Sequence, residues 1–364
     1  MTLLVDIRHR LGEFALDAAF ESAGRLTALF GPSGSGKTSL INIVGGLIRP
    51  REGRVVTDGR ILVDTAAGVH VPAHRRRVGY VFQDARLFPH LSVRSNLNYG
   101  RRFAPRADRR ADFGAVVEML DIGHLLARGP GSLSGGEKQR VAIGRALLAD
   151  PHLILMDEPL ASLDEARKAE IMPYIERLRD EAKVPIVYVS HSVAEVARLA
   201  TDIAVLEHGR LAAFGPTAGI LARLDLLSGD EAAEGGTVLE MELRQQDRAF
   251  AMSILRSPAG EIRIPRIGLP LGSRVRVRLR ARDVMIATER PQGISALNIL
   301  SGTVESLAAV SDNTVDVRLD CGGEPVVARI TRLSTERLKL AAGQPVFAIV
   351  KTVSVDTAGA APPL

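Results

Sequence analysis

A glycine-rich octapeptide, GlyProSerGlySerGlyLysThr at 31–38, constrains the fold of this 364-residue chain more than any other feature. The strand-like run ArgLeuThrAlaLeuPhe precedes it, and a helical run that begins SerLeuIleAsnIleVal follows it. A strand, a glycine loop and a helix in this order form a phosphate-binding loop, because the loop N–H groups turn inward and the helix N-terminus adds a partial positive charge. The sequence therefore predicts an α/β core with a parallel sheet.

Four side chains predict what the loop binds and what happens there. The Lys37 ammonium supplies a charge to the β- and γ-phosphates of a nucleotide, and the Thr38 hydroxyl is a ligand for Mg²⁺. The buried run LeuIleLeuMetAspGluPro at 153–159 ends in two acids. Asp157 is predicted to hold Mg²⁺, and Glu158 to orient or deprotonate the attacking water. We therefore expect ATP as the substrate and Mg²⁺ as the cofactor.

Composition narrows the class of protein. Hydrophobic residues make up 46% of the chain and charged residues 24%, as in globular proteins. No apolar run approaches the ~18 residues of a membrane span, and the N-terminus has no signal-peptide core. The single cysteine, Cys321, is interpreted as a small residue near a β-turn rather than a reactive thiol. These features favour the cytoplasm.

The net charge of +5 permits an acidic partner. The densest arginine runs, at 75–77 and within 101–110, have no aromatic residues arranged around them as in RNA-binding motifs. We interpret these runs as solvated faces and expect no nucleic-acid partner.

An acidic, glycine-rich segment, GlyAspGluAlaAlaGluGlyGly at 229–236, is predicted to be a linker. Before it, strand and helix patterns alternate over 1–228, with a helical subdomain at about 86–149. Beyond it, runs such as ArgValArgValArgLeuArg alternate with period two. The sequence thus predicts a β-rich second domain over 237–364, with a small OB-like barrel at about 292–356.

A second anion cradle is predicted at LeuSerGlyGlyGluLysGlnArg, residues 133–140. The Ser134 hydroxyl and the N–H groups of Gly135 and Gly136 would lie at the start of a helix. Ser134 and Glu137 also fit a capping box, which would orient the same N–H groups. Two cradles of one chain cannot easily serve one phosphate.

The order of these motifs resembles that of ATP-binding-cassette ATPases over about residues 1–228. The motifs that carry the resemblance are GPSGSGKT, Gln83 in TyrValPheGlnAsp, LSGGEKQR, LMDEP, SerLeuAsp at 162–164 and SerHisSer at 190–192. The resemblance implies that Gln83 contacts Mg²⁺ and the attacking water. It also implies that His191 contacts the γ-phosphate and that Asp164 lies at a dimer seam.

The resemblance implies a head-to-tail homodimer in which each phosphate loop faces the partner's second cradle. The implied contacts to ATP are Gly31, Pro32, Ser33, Gly34, Ser35, Gly36, Lys37, Thr38 and Ser39. The implied contacts to the partner's ATP are Ser134, Gly135, Gly136 and Glu137. Phe14 stands where members of the family stack the adenine on an aromatic ring, and a place in the core is the alternative for it.

Features that are missing from the sequence select a branch of this family. A fused membrane span, a long coiled-coil insertion and a second cassette are all missing, which leaves the ATPase subunit of an importer that docks beneath a separate permease. The stretch at 76–93 resembles the importer form. The surface around Gln83 and residues 84–99 would receive the permease, and Leu87, Phe88 and Leu91 there fit either that contact or the core.

The C-terminal domain indicates the cargo. SerAlaLeuAsnIleLeuSerGlyThrVal at 295–304, with the runs at 330–343 and 347–355, resembles the small molybdate-binding barrel. Ser295, the Ala296 N–H group and Lys351 are candidates for binding a regulatory oxyanion, although Leu297 replaces the arginine of many relatives. The alternative is a packing barrel without an anion.

The resemblance implies a molybdate importer ATPase at the cytoplasmic face of the inner membrane, a peripheral homodimer that drives a permease. A separate periplasmic or extracellular binding protein would deliver the oxyanion. The alternatives are an importer ATPase for sulfate, iron or a sugar, and a soluble molybdate-sensing protein.

Overall fold

The computed structural model divides the chain into two compact units, Met1–Pro216 and Thr217–Leu364. The parts of the chain that it describes are residues 2–102, 111–182, 184–226, 234–352 and 356–357. The predicted linker lies mostly outside these residues, and a strand begins at Gly236. None of the helices in the described ranges is long and apolar enough to cross a membrane.

The described part of the first unit contains one mixed sheet of eleven strands. These are β1 (Leu3–Leu11), β2 (Phe14–Ser22), β3 (Leu26–Phe30), β4 (Glu52–Thr57), β5 (Arg60–Asp64), β6 (Val69–His70), β7 (Val78–Val81), β8 (Leu153–Asp157), β9 (Ile186–Val189), β10 (Asp202–Glu207) and β11 (Arg210–Pro216). Their order is β6-β5-β4-β1-β2-β11-β10-β3-β9-β8-β7. Strands β10, β3, β9, β8 and β7 are parallel, which confirms the predicted parallel core. Strands β6, β5, β4, β1 and β2 form an antiparallel half.

Helices connect the parallel strands. They are α1 (Lys37–Gly45), α2 (Val93–Tyr99), α3 (Phe113–Met119), α4 (Gly135–Leu148), α5 (Glu165–Glu181) and α6 (Val193–Leu199). Helices α2, α3 and α4 lie in the predicted helical subdomain, and α5 continues through Pro173. Residues 111–127 have the periodicity of a helix in the sequence, but the structure has only the short α3 as an α-helix there. Asp121 takes a left-handed φ of 49° just beyond it, and Arg140 satisfies the carbonyls of Leu120 and Asp121 at 3.1 Å each.

The parallel strands place the functional side chains at one edge. All residues of β3 and β9 are buried, because helices cover both faces of the central sheet. The glycine loop follows β3, Asp157 ends β8, and SerHisSer at 190–192 follows β9. Since the carboxyl ends of parallel strands share one edge, these three segments converge there.

The interpretation of the arginine run at 75–77 as a solvated face is wrong for Arg76. It is fully buried, whereas its neighbour Arg75 is exposed. Its guanidinium donates to the carbonyls of Ile43 at 2.7 Å and Val44 at 2.8 Å, in the last turn of α1. Part of the second arginine run, residues 103–110, lies outside the described residues.

The second unit is β-rich, as predicted, and its paired strands are antiparallel. Its described strands are β12 (Gly236–Asp247), β13 (Met252–Ser257), β14 (Gly260–Pro265), β15 (Arg274–Arg280), β16 (Val284–Ala287), β17 (Asn298–Ala309), β18 (Thr314–Cys321), β19 (Glu324–Thr331), β20 (Pro345–Val350) and β21 (Asp356–Thr357). Its described helices are α7 (Thr217–Leu221) and α8 (Arg332–Arg337). Two sheets, ordered β14-β13-β12-β15-β21 and β16-β20-β17-β18-β19, share one apolar core. Val275, Val277 and Leu279 of β15 enter that core, which confirms the period-two pattern.

Candidate functional site

The glycine loop needs residues without a side chain. Gly31, Gly34 and Gly36 have φ values of 141°, 80° and 100°, which favour glycine. A Cβ atom at Gly31 would lie 2.1 Å from the carbonyl oxygen of Leu206. The loop therefore keeps its backbone close to the neighbouring strand and turns its N–H groups towards a ligand.

Lys37 is held inside the loop. Its ammonium donates to the carbonyl oxygens of Gly31 at 2.7 Å and Pro32 at 2.8 Å, and the residue is 4% exposed. The Ser35 hydroxyl lies 3.5 Å from the same nitrogen. The loop thus surrounds the ammonium group of Lys37.

A cavity of about 330 Å³ opens over the loop. Its lining consists of Leu11, Phe14, Ser33, Gly34, Gly36, Lys37, Thr38, Ser39 and Glu158. Every lining residue except Leu11 was predicted as an ATP contact or a catalytic residue. Gly31, Pro32 and Ser35 are not among the lining residues, and they shape the loop from behind. Phe14 fits both of its interpretations, because it lines the cavity and also packs against the core.

Thr38 and Asp157 meet beside this cavity. The Thr38 hydroxyl donates to Asp157 Oδ1 at 3.3 Å, and the Tyr80 hydroxyl lies 3.4 Å from Asp157 Oδ2. Burial raises the pKa of Asp157, because it removes water from the carboxylate. A hydroxyl and a carboxylate are the hard oxygen donors that Mg²⁺ takes, so these residues fit the ion. The described residues contain no cluster of His, Cys, Asp or Glu that would hold a metal alone, as expected where substrate phosphates complete the ligand set.

Glu158 and His191 face each other at the cavity. Glu158 Oε2 lies 3.5 Å from His191 Nδ1, and the Glu158 N–H group donates to the Val189 carbonyl at 3.1 Å. The backbone of Glu158 has a left-handed φ of 45°. A non-glycine residue in this region stores strain of about 1–3 kcal/mol, as is common at functional sites. The carboxylate of Glu158 therefore lies in the lining of the cavity and within 3.5 Å of the His191 ring.

A buried network that the sequence analysis missed supports the His191 segment. Glu195 Oε2 accepts from Tyr188 at 2.9 Å and from Ser190 at 2.7 Å. Lys168 Nζ approaches the other Glu195 oxygen at 3.5 Å. Burial, followed by the Glu195 charge, raises the pKa of Tyr188. A tyrosine in a fully buried strand was the available signal, since such a hydroxyl needs a partner.

Gln83 lies apart from the other predicted Mg²⁺ ligands. It is exposed and lines a second cavity of about 370 Å³, together with Gly135, Lys138 and Ser162. It is not among the residues that line the cavity at the phosphate loop. The structure brings Thr38 and Asp157 together and places Gln83 near the second cradle.

The second cradle is the start of α4. The Ser134 hydroxyl accepts from the Glu137 N–H group at 3.2 Å, and Glu137 Oε2 accepts from the Ser134 N–H group at 2.7 Å, which confirms the capping box. That backbone hydrogen bond lowers the pKa of Glu137. Ser134 and Gly135 are exposed, and Gly136 is buried. These residues do not line the cavity at the phosphate loop, so the two cradles are separate within one chain.

Asp164 caps α5. Its Oδ1 accepts from the Arg167 N–H group at 2.9 Å, and its Oδ2 lies 3.5 Å from Arg167 Nε. The side chain is 59% exposed, so it is accessible to a partner.

The oxyanion candidates lie in the second unit. Ser295 and Lys351 are exposed, and Ala296 is buried. Asn298 of the same motif is fully buried and bonds the backbone of Arg263, with its Oδ1 accepting at 2.7 Å and its Nδ2 donating at 3.1 Å. The asparagine therefore has a structural role in joining the two sheets.

A phosphate loop, paired strand-end acids and a separate capped cradle on a mixed sheet define the class, and the first unit is an ATP-binding-cassette ATPase. Residues 20–161 match the family described as ABC transporter, and residues 294–356 match the TOBE domain. The chain belongs to the family of molybdenum import ATP-binding proteins.

Similar proteins match this chain over nearly its whole length. The molybdenum import ATP-binding protein ModC of Mesorhizobium japonicum is 63% identical, with 100% of this chain and 99% of that protein covered. The protein of the same name from Rhizobium etli is 56% identical, with 98% and 100% covered. Among solved structures, cbiO1 from Clostridium perfringens, part of the ABC transporter complex cbiONQ, aligns with a TM-score of 0.51. It is 26% identical, and the alignment covers 61% of this chain and 90% of that one.

Proposed function

We propose that this chain is the ATP-hydrolysing subunit of a molybdate importer. The observation that carries the proposal is the identity of 63% to a molybdenum import ATP-binding protein over both units. The cavity over the phosphate loop, with Lys37 and Glu158 in its lining, supports the ATPase activity. Sulfate, iron and sugar importers would share that cavity, so the cargo assignment rests on the full-length similarity.

The proposed mechanism begins with the phosphates in the glycine loop. The Lys37 ammonium exchanges its carbonyl partners for β- and γ-phosphate oxygens. Thr38 and Asp157 would hold Mg²⁺, which would neutralise charge on those oxygens. Glu158 accepts a proton from the attacking water, and His191 contacts the γ-phosphate.

The two separate cradles support a head-to-tail homodimer. In our proposal, Ser134, Gly135, Gly136 and Glu137 of one subunit close over the ATP of the other. Asp164 lies at the seam, where its exposed carboxylate is available. Gln83 reaches the metal and the water only when the dimer closes, because in the single chain it lies in the second cavity.

The second cavity is the proposed contact of the permease. Leu87 lines it beside Gln83, so a bound permease segment would touch both. Phe88 is half-buried and packs on Tyr99, with ring centroids 4.2 Å apart. We place the chain at the cytoplasmic face of the inner membrane, docked to a separate permease that receives molybdate from a binding protein.

Glu158→Gln tests the catalytic assignment. The variant should bind ATP and form a stable dimer in size-exclusion chromatography. It should hydrolyse ATP more slowly than the wild type by a factor of about 100 or more, because the general base is lost. The matched control is Glu181→Gln, which changes a half-exposed carboxylate on α5. Wild-type hydrolysis by Glu158→Gln would show that the assignment is wrong.

Transport assays test the cargo. Membranes that contain the cognate permease and this chain should accumulate molybdate in an ATP-dependent manner. Tungstate should compete, since it is a dianion of similar shape, and sulfate should compete weakly. Uptake of sulfate in preference to molybdate would refute the cargo assignment and favour the alternative importer.

A regulatory oxyanion is a separate proposal for the second unit. We place it at Ser295, the Ala296 N–H group and Lys351, which supply a hydroxyl, an amide and a cation for a dianion. Isothermal titration of the full-length dimer with molybdate, in the absence of nucleotide, should show saturable binding that Lys351→Met weakens. An intact dimer that takes up no molybdate would favour the packing barrel.

A further inference from the structure

The carboxylate of Asp157 is approached by a hydroxyl at each of its two oxygens. Thr38, at the start of α1, donates to Oδ1 at 3.3 Å. Tyr80, in the neighbouring strand β7, reaches Oδ2 at 3.4 Å. Thr38 belongs to the phosphate loop, but no sequence motif assigns a role to the Tyr80 hydroxyl.

The ring of Tyr80 is fixed by its neighbours. It stacks on Phe82 with centroids 4.1 Å apart and an interplanar angle of 17°. On its other side it lies against α1 at Gly45, where an added Cβ atom would meet Tyr80 Cε2 at 3.2 Å. A ring held in this way delivers its hydroxyl to one place, between α1 and the end of β8.

Asn42 completes a hydrogen-bond chain to that carboxylate. It lies one helical turn after Thr38 on the same face of α1, and its Oδ1 is 2.9 Å from the Tyr80 hydroxyl. A phenol has one proton, so it donates fully to either Asn42 or Asp157. If the Asn42 amide is turned by 180°, its N–H group donates to the Tyr80 oxygen. The phenol proton is then left for the Asp157 carboxylate, which forms the stronger hydrogen bond because it is charged.

We propose that Tyr80 is a positioning residue for the metal-binding carboxylate, with Asn42 orienting its hydroxyl. Tyr80 holds Oδ2 of Asp157, so that Oδ1 and the Thr38 hydroxyl face the same point in the site. The inference rests on the proposed ATPase function, since it assigns the cation of MgATP to that point. Tyr80 is not among the residues that line the cavity over the phosphate loop, so it acts through Asp157.

Removing the Tyr80 hydroxyl should weaken metal binding without dismantling the site. Tyr80→Phe keeps the ring and its stacking on Phe82. Loss of a hydrogen bond to a ligating carboxylate typically lowers metal affinity about 10–100-fold. We expect the lower end, about tenfold, because the bond is long. Asn42→Ala should act in the same direction with a smaller effect.

The matched control is Tyr188→Phe. Tyr188 is the other tyrosine in the parallel sheet; it is fully buried, and its hydroxyl donates to a carboxylate, Glu195, at 2.9 Å. Its removal costs a buried hydrogen bond that goes to neither Thr38 nor Asp157. The dissociation constant for the metal should therefore stay within about twofold of the wild-type value in this control, since Glu195 is not among the proposed metal ligands.

Electron paramagnetic resonance of Mn²⁺ measures the effect directly. Full-length protein saturated with a non-hydrolysable ATP analogue is titrated with Mn²⁺, and the free ion is counted. Tyr80→Phe should raise the dissociation constant for Mn²⁺ about tenfold, and should raise the Mg²⁺ concentration for half-maximal ATPase activity by a similar factor. The rate at saturating Mg²⁺ should change much less.

Two results would overturn the inference. One is a Mn²⁺ dissociation constant for Tyr80→Phe that stays within twofold of the wild type. The other is an equal shift in Tyr188→Phe, which would show that general loosening causes the change. If Tyr80→Phe fails to fold, Asn42→Ala decides, and a dissociation constant for Mn²⁺ equal to the wild-type value would then overturn the inference. Wild-type protein that binds neither the analogue nor Mn²⁺ would instead refute the proposed function.

Discussion

Replacing the buried Arg76 tests whether its hydrogen bonds outweigh the loss of hydration of its charge. The guanidinium caps the C-terminal end of α1, donating to Ile43 and Val44, and its Nε donates to the Val71 carbonyl at 2.7 Å. Burial lowers the pKa of Arg76 to about 10, so the group stays charged at neutral pH. A cation at this end of a helix also interacts favourably with the helix dipole.

The expected loss for Arg76→Met follows from two carbonyls, those of Val44 and Val71, that lose their donor, since the Ile43 carbonyl keeps the Gly46 N–H group at 3.1 Å. Each such acceptor, if left buried without a partner, costs about 1–3 kcal/mol. Removal of the buried charge returns several kcal/mol of lost hydration. Because Met leaves no unpaired charge, the difference should be smaller than the cost of breaking a buried ionic contact, a decrease of about 2 kcal/mol in the free energy of unfolding of the first unit.

Urea unfolding followed by circular dichroism at 222 nm measures this loss, since the chain has no tryptophan for fluorescence. The two units are expected to unfold separately, and the transition of the first unit is the one that an ATP analogue shifts. Arg75→Met is the control, because this neighbour is exposed, and it should change stability by less than about 0.5 kcal/mol. If Arg76→Met lies within about 1 kcal/mol of the wild type, the dehydrated charge already cancels its hydrogen bonds and our reasoning fails.

Three further predictions concern Lys37, Cys321 and Ser134. Lys37→Met should weaken binding of a fluorescent ATP analogue by about tenfold or more, because a charge on the phosphates is lost; unchanged affinity would contradict the role of the ammonium. Burial raises the pKa of the Cys321 thiol from 9.0 to about 12. A thiol reagent at pH 8 should therefore react with the unfolded chain and not with the folded chain. The free energy of unfolding should fall as the pH rises from 9.0 to about 12, because only the unfolded thiol loses its proton in that range. Ser134→Ala removes the cap of α4 and should lower the free energy of unfolding by about 1 kcal/mol. It should also abolish cooperative ATPase activity. Retained cooperativity would show that Ser134 caps the helix without contributing to the dimer contact.

Local patterns predicted the elements that carry the chemistry. The phosphate loop was found because its glycines must follow a strand and precede a helix, and the structure has β3 and α1 in those places. Asp157 was found because a short apolar run that ends in acids is typical of a buried parallel strand. The capping box of Ser134 and Glu137 was visible from its spacing alone.

Contacts between residues far apart in the chain could not be predicted from the sequence. Arg76 was assigned to a solvated run because nothing near it in the sequence indicates the carbonyls of α1, which are about thirty residues away. Tyr80 and Asn42 likewise meet only after β7 packs against α1. The helical periodicity over 111–127 extends beyond α3, because the end of that helix depends on Arg140, in another helix.

The position of Lys37 has a consequence for how the loop distinguishes nucleotides. Its ammonium already has two short carbonyl partners, at Gly31 and Pro32, so phosphate binding there is an exchange of hydrogen bonds rather than the filling of an empty site. The charged β- and γ-oxygens of a nucleoside triphosphate would replace the two carbonyl oxygens as acceptors from the Lys37 ammonium. A monophosphate has no β- or γ-oxygen to offer, so the lysine keeps its internal partners. On the proposed mechanism, the loop should therefore bind a nucleoside triphosphate more tightly than a monophosphate.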